Sequence, residues 1–248
     1  MKKIIILILA QILVGQTGYD IAKAIDTKAK PKDMKTTLTM TLENARGKTR
    51  TSTIASISLE GGEKQIIWFL SPADDKGVAF LKIEQDELDD EMRLWLPAFK
   101  KVRRIKSSSK SDSFMGSDMS YEDMTNRNLE DFEYSLGGKE KIGETEYNIL
   151  VSKPKDRIDS EYSEHKTWVS VKDNIVLKEE SYDKAGRLLK TKWIKTERRK
   201  EYDVPVEIYV ENIQKKHNTT LTFTDIDLDM GVSEDLFQEK NLKRLPPR

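Results

Sequence analysis

The chain has no cysteine and only two histidines among its 248 residues. Without cysteine it can form neither a disulfide nor a thiolate metal site, so its fold depends on a hydrophobic core. A chain of this length buries about 70% of its unfolded surface, which is enough for a stable core. His165 and His217 lie among polar residues and would need distant carboxylates to hold zinc. We therefore predict no metal and no cofactor.

Common catalytic signatures are also missing. The sequence contains neither a G-x-S-x-G motif nor a P-loop. Ser113 and Ser117 have no histidine nearby in sequence, and the acidic residues between Asp112 and Asp123 lack the spacing of a calcium-binding EF-hand. We predict a binding protein with no catalytic residues, and an enzyme of an unfamiliar type is the less favoured interpretation.

The chain has no net charge, because 43 lysines and arginines balance 43 aspartates and glutamates. A protein that binds nucleic acid through its overall field carries a clear basic excess. The balance therefore predicts that nucleic acid is not a partner.

The sequence has one apolar run at its start, Ile4–Val14, preceded by Lys2 and Lys3. This order is typical of a secretory signal peptide, and the run is shorter than the roughly 20 residues that span a bilayer. We predict a signal peptide over 1–18 and one mature domain over 19–248. An uncleaved anchor is the alternative. Because no cysteine is available for acylation, we expect a soluble periplasmic protein.

Beyond the start, one helix precedes a long series of strands. Tyr19–Lys30 has helical spacing and Pro31 ends it. Then Leu38, Met40 and Leu42 alternate with threonines, which is the period of a half-buried strand. The chain continues in this manner with glycine-containing turns, and about eleven to thirteen short strands predict one large antiparallel sheet. Such a sheet curls into a barrel or splits into a sandwich.

A serine-rich stretch after the sixth strand carries large apolar residues, among them Phe114, Met115 and Met119. Flexible apolar side chains on a loop of small residues indicate a cover over an apolar cavity. A curled sheet of more than eight strands leaves room for a ligand. For the strand members, ordinary core packing is an equally good interpretation. The predicted cavity and lid residues are Met40, Leu42, Ile57, Leu59, Ile67, Phe69, Leu81, Leu94, Leu96, Phe114, Met115, Met119 and Met124.

A basic strand lies between these apolar segments, interrupted by Val102 and Ile105. It has two interpretations: a solvated strand face, or a surface that docks on anionic headgroups or an acidic partner. It lacks the aromatic platform of a single-strand nucleic-acid site. The docking residues under the second interpretation are Lys100, Lys101, Arg103, Arg104 and Lys106.

Three consecutive segments, PADDKGVAFLKI (Pro72–Ile83), LWLPAFKKVRRI and SFMGSDMSYEDM, resemble the outer membrane lipoprotein-sorting protein family of the LolA/LolB-like superfamily. The resemblance implies a mainly β fold: a strongly curved, half-open antiparallel β-barrel of about eleven strands, with short helices covering the opening. It also implies a periplasmic carrier whose apolar interior takes up acyl chains of lipoproteins or lipids and moves them toward the outer membrane.

Some members of that family are associated with RND-type transporters of the inner membrane, which implies such a partner and transient membrane contact here. The rival hypothesis is an envelope interaction module that docks on a transporter through the basic strand and holds no ligand. Charge reversal of that strand separates the two hypotheses, because only the carrier would still take up acyl chains.

Overall fold

The computed structural model describes residues 16–85 and 90–246, which form one α-helix and thirteen β-strands. The elements are α1 (Gly18–Asp26), β1 (Asp33–Glu43), β2 (Thr49–Leu59), β3 (Lys64–Ser71), β4 (Ala79–Ile83), β5 (Glu91–Leu96), β6 (Lys101–Ile105), β7 (Phe132–Ile142), β8 (Thr145–Pro154), β9 (Tyr162–Ser170), β10 (Val176–Asp183), β11 (Leu188–Arg199), β12 (Tyr202–Asn212) and β13 (His217–Leu228).

The predicted helix is present and begins with a capping box. The Thr17 side chain accepts a hydrogen bond from the Asp20 backbone N–H, and the Asp20 carboxylate accepts one from the Thr17 backbone. Its buried face, Ile21 and Ala22, packs with Leu150 of β8. The helix ends at Asp26, four residues before the predicted end.

All thirteen strands belong to one antiparallel sheet in the order β6-β5-β4-β3-β2-β1-β13-β12-β11-β10-β9-β8-β7. Two meanders, β1–β6 and β7–β13, therefore join where β1 pairs with β13. Strands β6 and β7 are the two edges, and residues 106–131 connect them. We call residues 106–131 the covering segment.

The covering segment shows how strongly the sheet curves. The Tyr121 ring lies 5.8 Å from the Phe80 ring of β4. Two residues later, the Asp123 carboxylate accepts a hydrogen bond from the Tyr162 hydroxyl of β9 at 2.8 Å. Strands β4 and β9 are eight places apart in the sheet, or roughly 38 Å if it were flat, at about 4.8 Å per strand. The two ends of the sheet must therefore face each other across the covering segment.

The predicted curved, half-open antiparallel sheet is confirmed, with thirteen strands and not about eleven. The count is at the upper end of the eleven to thirteen that the sequence pattern predicts, and β4, β5 and β6 are only five or six residues long. The Gly137–Gly138 pair does not end a strand: β7 continues through it to Ile142, with a register shift between Leu136 and Lys139, because a bulge absorbs the glycine pair.

Residues 1–15 lie outside the described residues, so the signal peptide predicted over 1–18 stays a prediction. In the part of the chain that the structure describes, no helix is long and apolar enough to cross a membrane.

Candidate functional site

The face of the sheet under the covering segment, the interior face, is apolar along β1–β5. Phe114 is 4% exposed, and its ring lies 5.2 Å from Phe80 and 6.2 Å from Phe69. Tyr121 meets Phe114 edge-on at 5.8 Å. The covering segment thus packs its own aromatic rings against this face. This interior cluster also contains Leu38, Met40, Leu42, Ile54, Ile67, Val78, Met92, Leu94, Ile105 and Leu221, with Leu96, Met115, Met119 and Met124 packed at its margin.

The structure divides the thirteen predicted cavity and lid residues between two faces of the sheet. Ile57 and Leu81 are buried on the opposite face beneath Phe237 and Leu242, and Leu59 packs at the edge of that outer cluster. Placing these three with the others was wrong, since apolar residues occur on both faces of these strands and alternate between them. The interior cluster holds the other ten: Met40, Leu42, Ile67, Phe69, Leu94, Leu96, Phe114, Met115, Met119 and Met124.

Local hydrogen bonds shape the tip of the covering segment, residues 113–120. Ser113 and Ser120 form an isolated antiparallel bridge, and the Phe114 backbone N–H donates to the Met119 carbonyl at 2.7 Å. Gly116, with a φ of +79°, turns the chain between them. The tip is therefore a small hairpin loop that is held by hydrogen bonds of its own.

Asp118 attaches this tip to the sheet. Its backbone N–H donates to Thr219 Oγ1 at 2.9 Å, and the Thr219 hydroxyl donates to the Asp118 carboxylate at 2.7 Å. His217 Nδ1 lies 2.7 Å from the same carboxylate. We call these contacts of Asp118 with Thr219 and His217 the Asp118 latch. Because Thr219 is directly opposite Leu42 in the sheet, the Asp118 latch lies at the border of the interior cluster.

Beyond the latch the interior face becomes polar. Lys190 of β11 is almost fully buried, and its ammonium group donates to the Asp123 carboxylate at 2.7 Å and to the Asp118 carbonyl at 3.1 Å. Burial opposes ionisation of Asp123, but the ammonium groups of Lys190 and Lys192 outweigh it and lower the pKa of Asp123 to about 2. Asp123 is therefore a buried anion that holds the covering segment on β11.

A second ion-pair group fixes the end of the covering segment. Arg127 donates two hydrogen bonds to the Glu179 carboxylate, at 2.6 and 2.9 Å, and Lys192 lies 2.8 Å from it. Although burial opposes it, these cations hold the pKa of Glu179 well below its usual value. Burial, with the neighbouring Arg127 guanidinium, lowers the pKa of His165 to about 3, so its ring is neutral at pH 7.

Sequence reasoning missed this polar half. The sequence analysis placed His165 only among polar residues, whereas β9 begins at Tyr162 and buries that histidine. A signal was present, because Lys190 and Lys192, and likewise Glu179 and Ser181, repeat at the period of one strand face. In residues 16–85 and 90–246 no group of three or more His, Asp or Glu is arranged to hold a metal ion.

We predict that Asp123→Asn destabilises the fold by about 2–4 kcal/mol at pH 7, because it leaves the Lys190 charge buried without its main partner. The pKa of Asp123 is lower in the folded chain than its ordinary 3.8, so its stabilisation is full above pH 4 and is lost as the pH falls toward 2. Urea unfolding at pH 7, 4 and 3 should show a shallower acid loss in the variant than in the wild type. The prediction would be contradicted if the wild type and Asp123→Asn lost equal stability between pH 7 and pH 3. It would also be contradicted if Asp123→Asn were no more destabilising at pH 7 than the exposed control Asp156→Asn.

The predicted basic strand, β6, is one edge of the sheet. Val102 packs in the outer cluster and Ile105 in the interior cluster, so the apolar interruptions anchor the strand on both sides. Phe99, in the preceding turn, is 71% exposed. Arg103 lies 3.6 Å from Asp112. The side chains that reach solvent here are Lys100, Lys101, Arg103, Arg104 and Lys106.

Two clefts lie beside these clusters. One of about 360 Å³ opens at the tip of the covering segment, between the turns at 44–48 and 213–216, and Arg46, Lys215 and His217 line it. The other, of about 390 Å³, lies on the opposite face beside Ile57 and Met230. The first is the one in contact with the covering segment.

Comparisons with known proteins agree with this architecture. A family model described as "Uncharacterized protein" matches residues 61–244. No curated protein matches the chain. A crystal structure of an outer membrane lipoprotein-sorting protein domain from Vibrio parahaemolyticus is 31% identical, with a TM-score of 0.86 over 92% of this chain and 98% of that one.

A DUF1329 family protein from Desulfovibrio piger is 30% identical, with a TM-score of 0.86 over 91% of this chain and 97% of that one. A LolA superfamily protein from Nitrosomonas europaea shares the fold at 20% identity, with a TM-score of 0.73 over 91% and 99% of the two chains. The chain therefore belongs to the outer membrane lipoprotein-sorting protein family and has a LolA-like fold.

Proposed function

We propose that the protein is a periplasmic carrier that holds acyl chains of lipids or lipoproteins against the interior cluster and moves them toward the outer membrane. The observation that carries the proposal is that an irregular loop, and no regular element of the sheet, fills the apolar half of the interior. Phe114 and Tyr121 stand on that loop. An acyl chain can take their place if the covering segment moves aside.

The energies of the two occupants are comparable. Burying one large apolar side chain fully is worth about 1.5–3 kcal/mol, so Phe114, Tyr121 and the half-buried Met115 and Met119 together supply at most about 6–12 kcal/mol. A 16-carbon acyl chain gains about 12 kcal/mol on leaving water, at about 0.8 kcal/mol per CH₂. The loop therefore offsets a large part of the gain from the cargo, which suits reversible loading. Flexible methionines adapt to either occupant.

The test is to purify the protein from the periplasm without detergent, extract it with organic solvent and analyse the extract by mass spectrometry. We expect acyl-bearing molecules in stoichiometric amount, and uptake of an uncharged pyrene-labelled acyl ester by the delipidated protein. Absence of both would contradict the carrier function.

The basic edge strand supports a docking role within the same function. Its cations and the exposed Phe99 present charge and an apolar ring together, a combination that suits transient contact with anionic headgroups or with an acidic surface of an RND-type transporter. We predict that reversing Lys101, Arg103 and Arg104 to Glu abolishes capture of the transporter and weakens vesicle contact at least tenfold, and leaves uptake of the acyl ester unchanged.

The rival function, an interaction module without a ligand, makes the opposite prediction for uptake. If wild-type protein captures the transporter but takes up no acyl ester, the module is correct and the carrier is not. If the charge reversal changes neither capture nor vesicle contact, the docking assignment of β6 is wrong.

A further inference from the structure

The cleft at the tip of the covering segment has a composition that the acyl site alone does not explain. Its walls are two adjacent hairpin turns, 44–48 and 213–216, brought together because Glu43 pairs with Asn218. Its floor is the tip of the covering segment at Gly116 and Asp118. The cleft, of about 360 Å³, is large enough for a phosphate group with part of its ester.

The cleft carries unpaired positive charge. Arg46 and Lys215 are exposed on facing turns, and in residues 16–85 and 90–246 neither side chain has an ion pair or hydrogen bond. The lining contains one acid, Asp118, whose carboxylate is already held by His217 and Thr219. The turn that presents Arg46 is fixed, since the Asn44 side-chain oxygen accepts from the backbone N–H of Arg46 at 2.9 Å and of Lys48 at 3.2 Å. A guanidinium and an ammonium on opposite walls suit a phosphate.

The floor connects this charge to the interior cluster. A side-chain atom at Gly116 would lie 3.9 Å from the Leu42 side chain, which belongs to that cluster. A phosphate in the cleft would therefore place the chains attached to it at the apolar half of the interior. It would also lie against the Asp118 latch, whose contacts must break before the tip can leave the sheet.

We propose that this cleft binds the phosphate of an anionic lipid headgroup, with Arg46 and Lys215 as its ligands, while the acyl chains of the same lipid enter beside Leu42. This inference rests on the proposed carrier function. It adds a substrate class: a phosphate-bearing amphiphile with net negative charge is preferred to a zwitterionic or uncharged one.

The experiment measures extraction from vesicles of three pyrene-labelled lipids: phosphatidylglycerol, phosphatidylcholine and diacylglycerol. Wild-type protein should extract phosphatidylglycerol at least tenfold better than the other two. The double variant Arg46→Glu, Lys215→Glu should lose this preference and still extract diacylglycerol at the wild-type level. The matched control Lys76→Glu, Lys184→Glu makes the same charge change in exposed turns at the same end of the sheet, and should keep the preference.

Other outcomes overturn the inference. Equal extraction of the three lipids by wild-type protein, or loss of the preference in the control variant, would show that the cleft does not select a headgroup. Calorimetry with inorganic phosphate gives the second arm. Binding of phosphate that depends on Arg46 and Lys215, without any preference among lipids, would assign the cleft to a free anion. If wild-type protein extracts no lipid at all, the carrier function fails, and only phosphate binding abolished by the double variant would then keep an anion site here.

Discussion

Acyl uptake should stop when the tip of the covering segment is tied to the sheet and should resume when the tie is cut. The variant is Asp118→Cys with Thr219→Cys, in a chain that has no other cysteine. Thr219 Oγ1 lies 2.9 Å from the Asp118 nitrogen and 2.7 Å from its carboxylate, so the two residues are in direct contact, as a disulfide between these positions requires. We expect at least a hundredfold loss of acyl ester uptake on oxidation and recovery with dithiothreitol.

The control places a disulfide within the tip. Ser113→Cys with Ser120→Cys joins two residues that already pair with each other, so it stiffens the tip and leaves it free to leave the sheet. Uptake by this oxidised variant should match its reduced form. If the oxidised Asp118–Thr219 variant still takes up acyl ester at the rate of its reduced form, the covering segment does not control access to the interior.

Removing the Phe114 ring, which fills part of the interior in the unloaded protein, should tighten acyl binding. Phe114→Ala deletes a side chain packed between Phe69, Phe80 and Tyr121, and such a truncation costs about 3–5 kcal/mol of the closed state. The covering segment must leave this closed state before the cargo binds. Part of the stability that the closed state loses therefore appears as higher affinity for the acyl ester. We expect at least a tenfold lower dissociation constant for the acyl ester, or about 1.4 kcal/mol, together with a lower midpoint of thermal unfolding.

Phe237→Ala is the matched control, since Phe237 is equally buried but lies in the outer cluster. It should lower stability by a similar amount and leave the dissociation constant unchanged. Weaker acyl binding by Phe114→Ala would show that Phe114 contacts the bound chain and does not merely occupy its place. An equal gain in affinity by both variants would trace the effect to general loosening of the fold.

The strands and the covering segment could be predicted because they depend on local patterns. Leu38, Met40 and Leu42 alternate with threonines and are buried as that alternation requires. Phe114 and Met119 were identified because large apolar side chains stand out on a loop of small residues. Each of these signals is contained within about ten residues of sequence.

For the central strands of the sheet, the sequence could not predict which side chains point to the interior face and which to the opposite face. Ile66 and Ile67 are consecutive apolar residues, and one belongs to the outer cluster and the other to the interior cluster. Which side the covering segment occupies depends on how the whole sheet curls. The covering segment is held on one side by its contacts with β4 and β9. The sequence of a single strand does not reveal these contacts.

The buried ion pairs were hidden for a different reason. Asp123 and Lys190 are 67 residues apart, and Arg127 and Glu179 are 52 apart, so no spacing rule connects them. Along the sequence these residues resemble the many charges of the outer surface, because 35% of all residues are charged. Only the closure of β9–β11 around the covering segment makes them interior residues.

The most direct test of the central claim is to find where an acyl chain lies in the loaded protein. A lipid with a diazirine at the end of its acyl chain would be loaded, irradiated and mapped by peptide mass spectrometry. The carrier account predicts adducts on the interior cluster, at Met40, Phe69, Phe80 or Leu94, and none in the oxidised Asp118–Thr219 variant. Adducts confined to the outer cluster, or equal labelling of the oxidised variant, would contradict it.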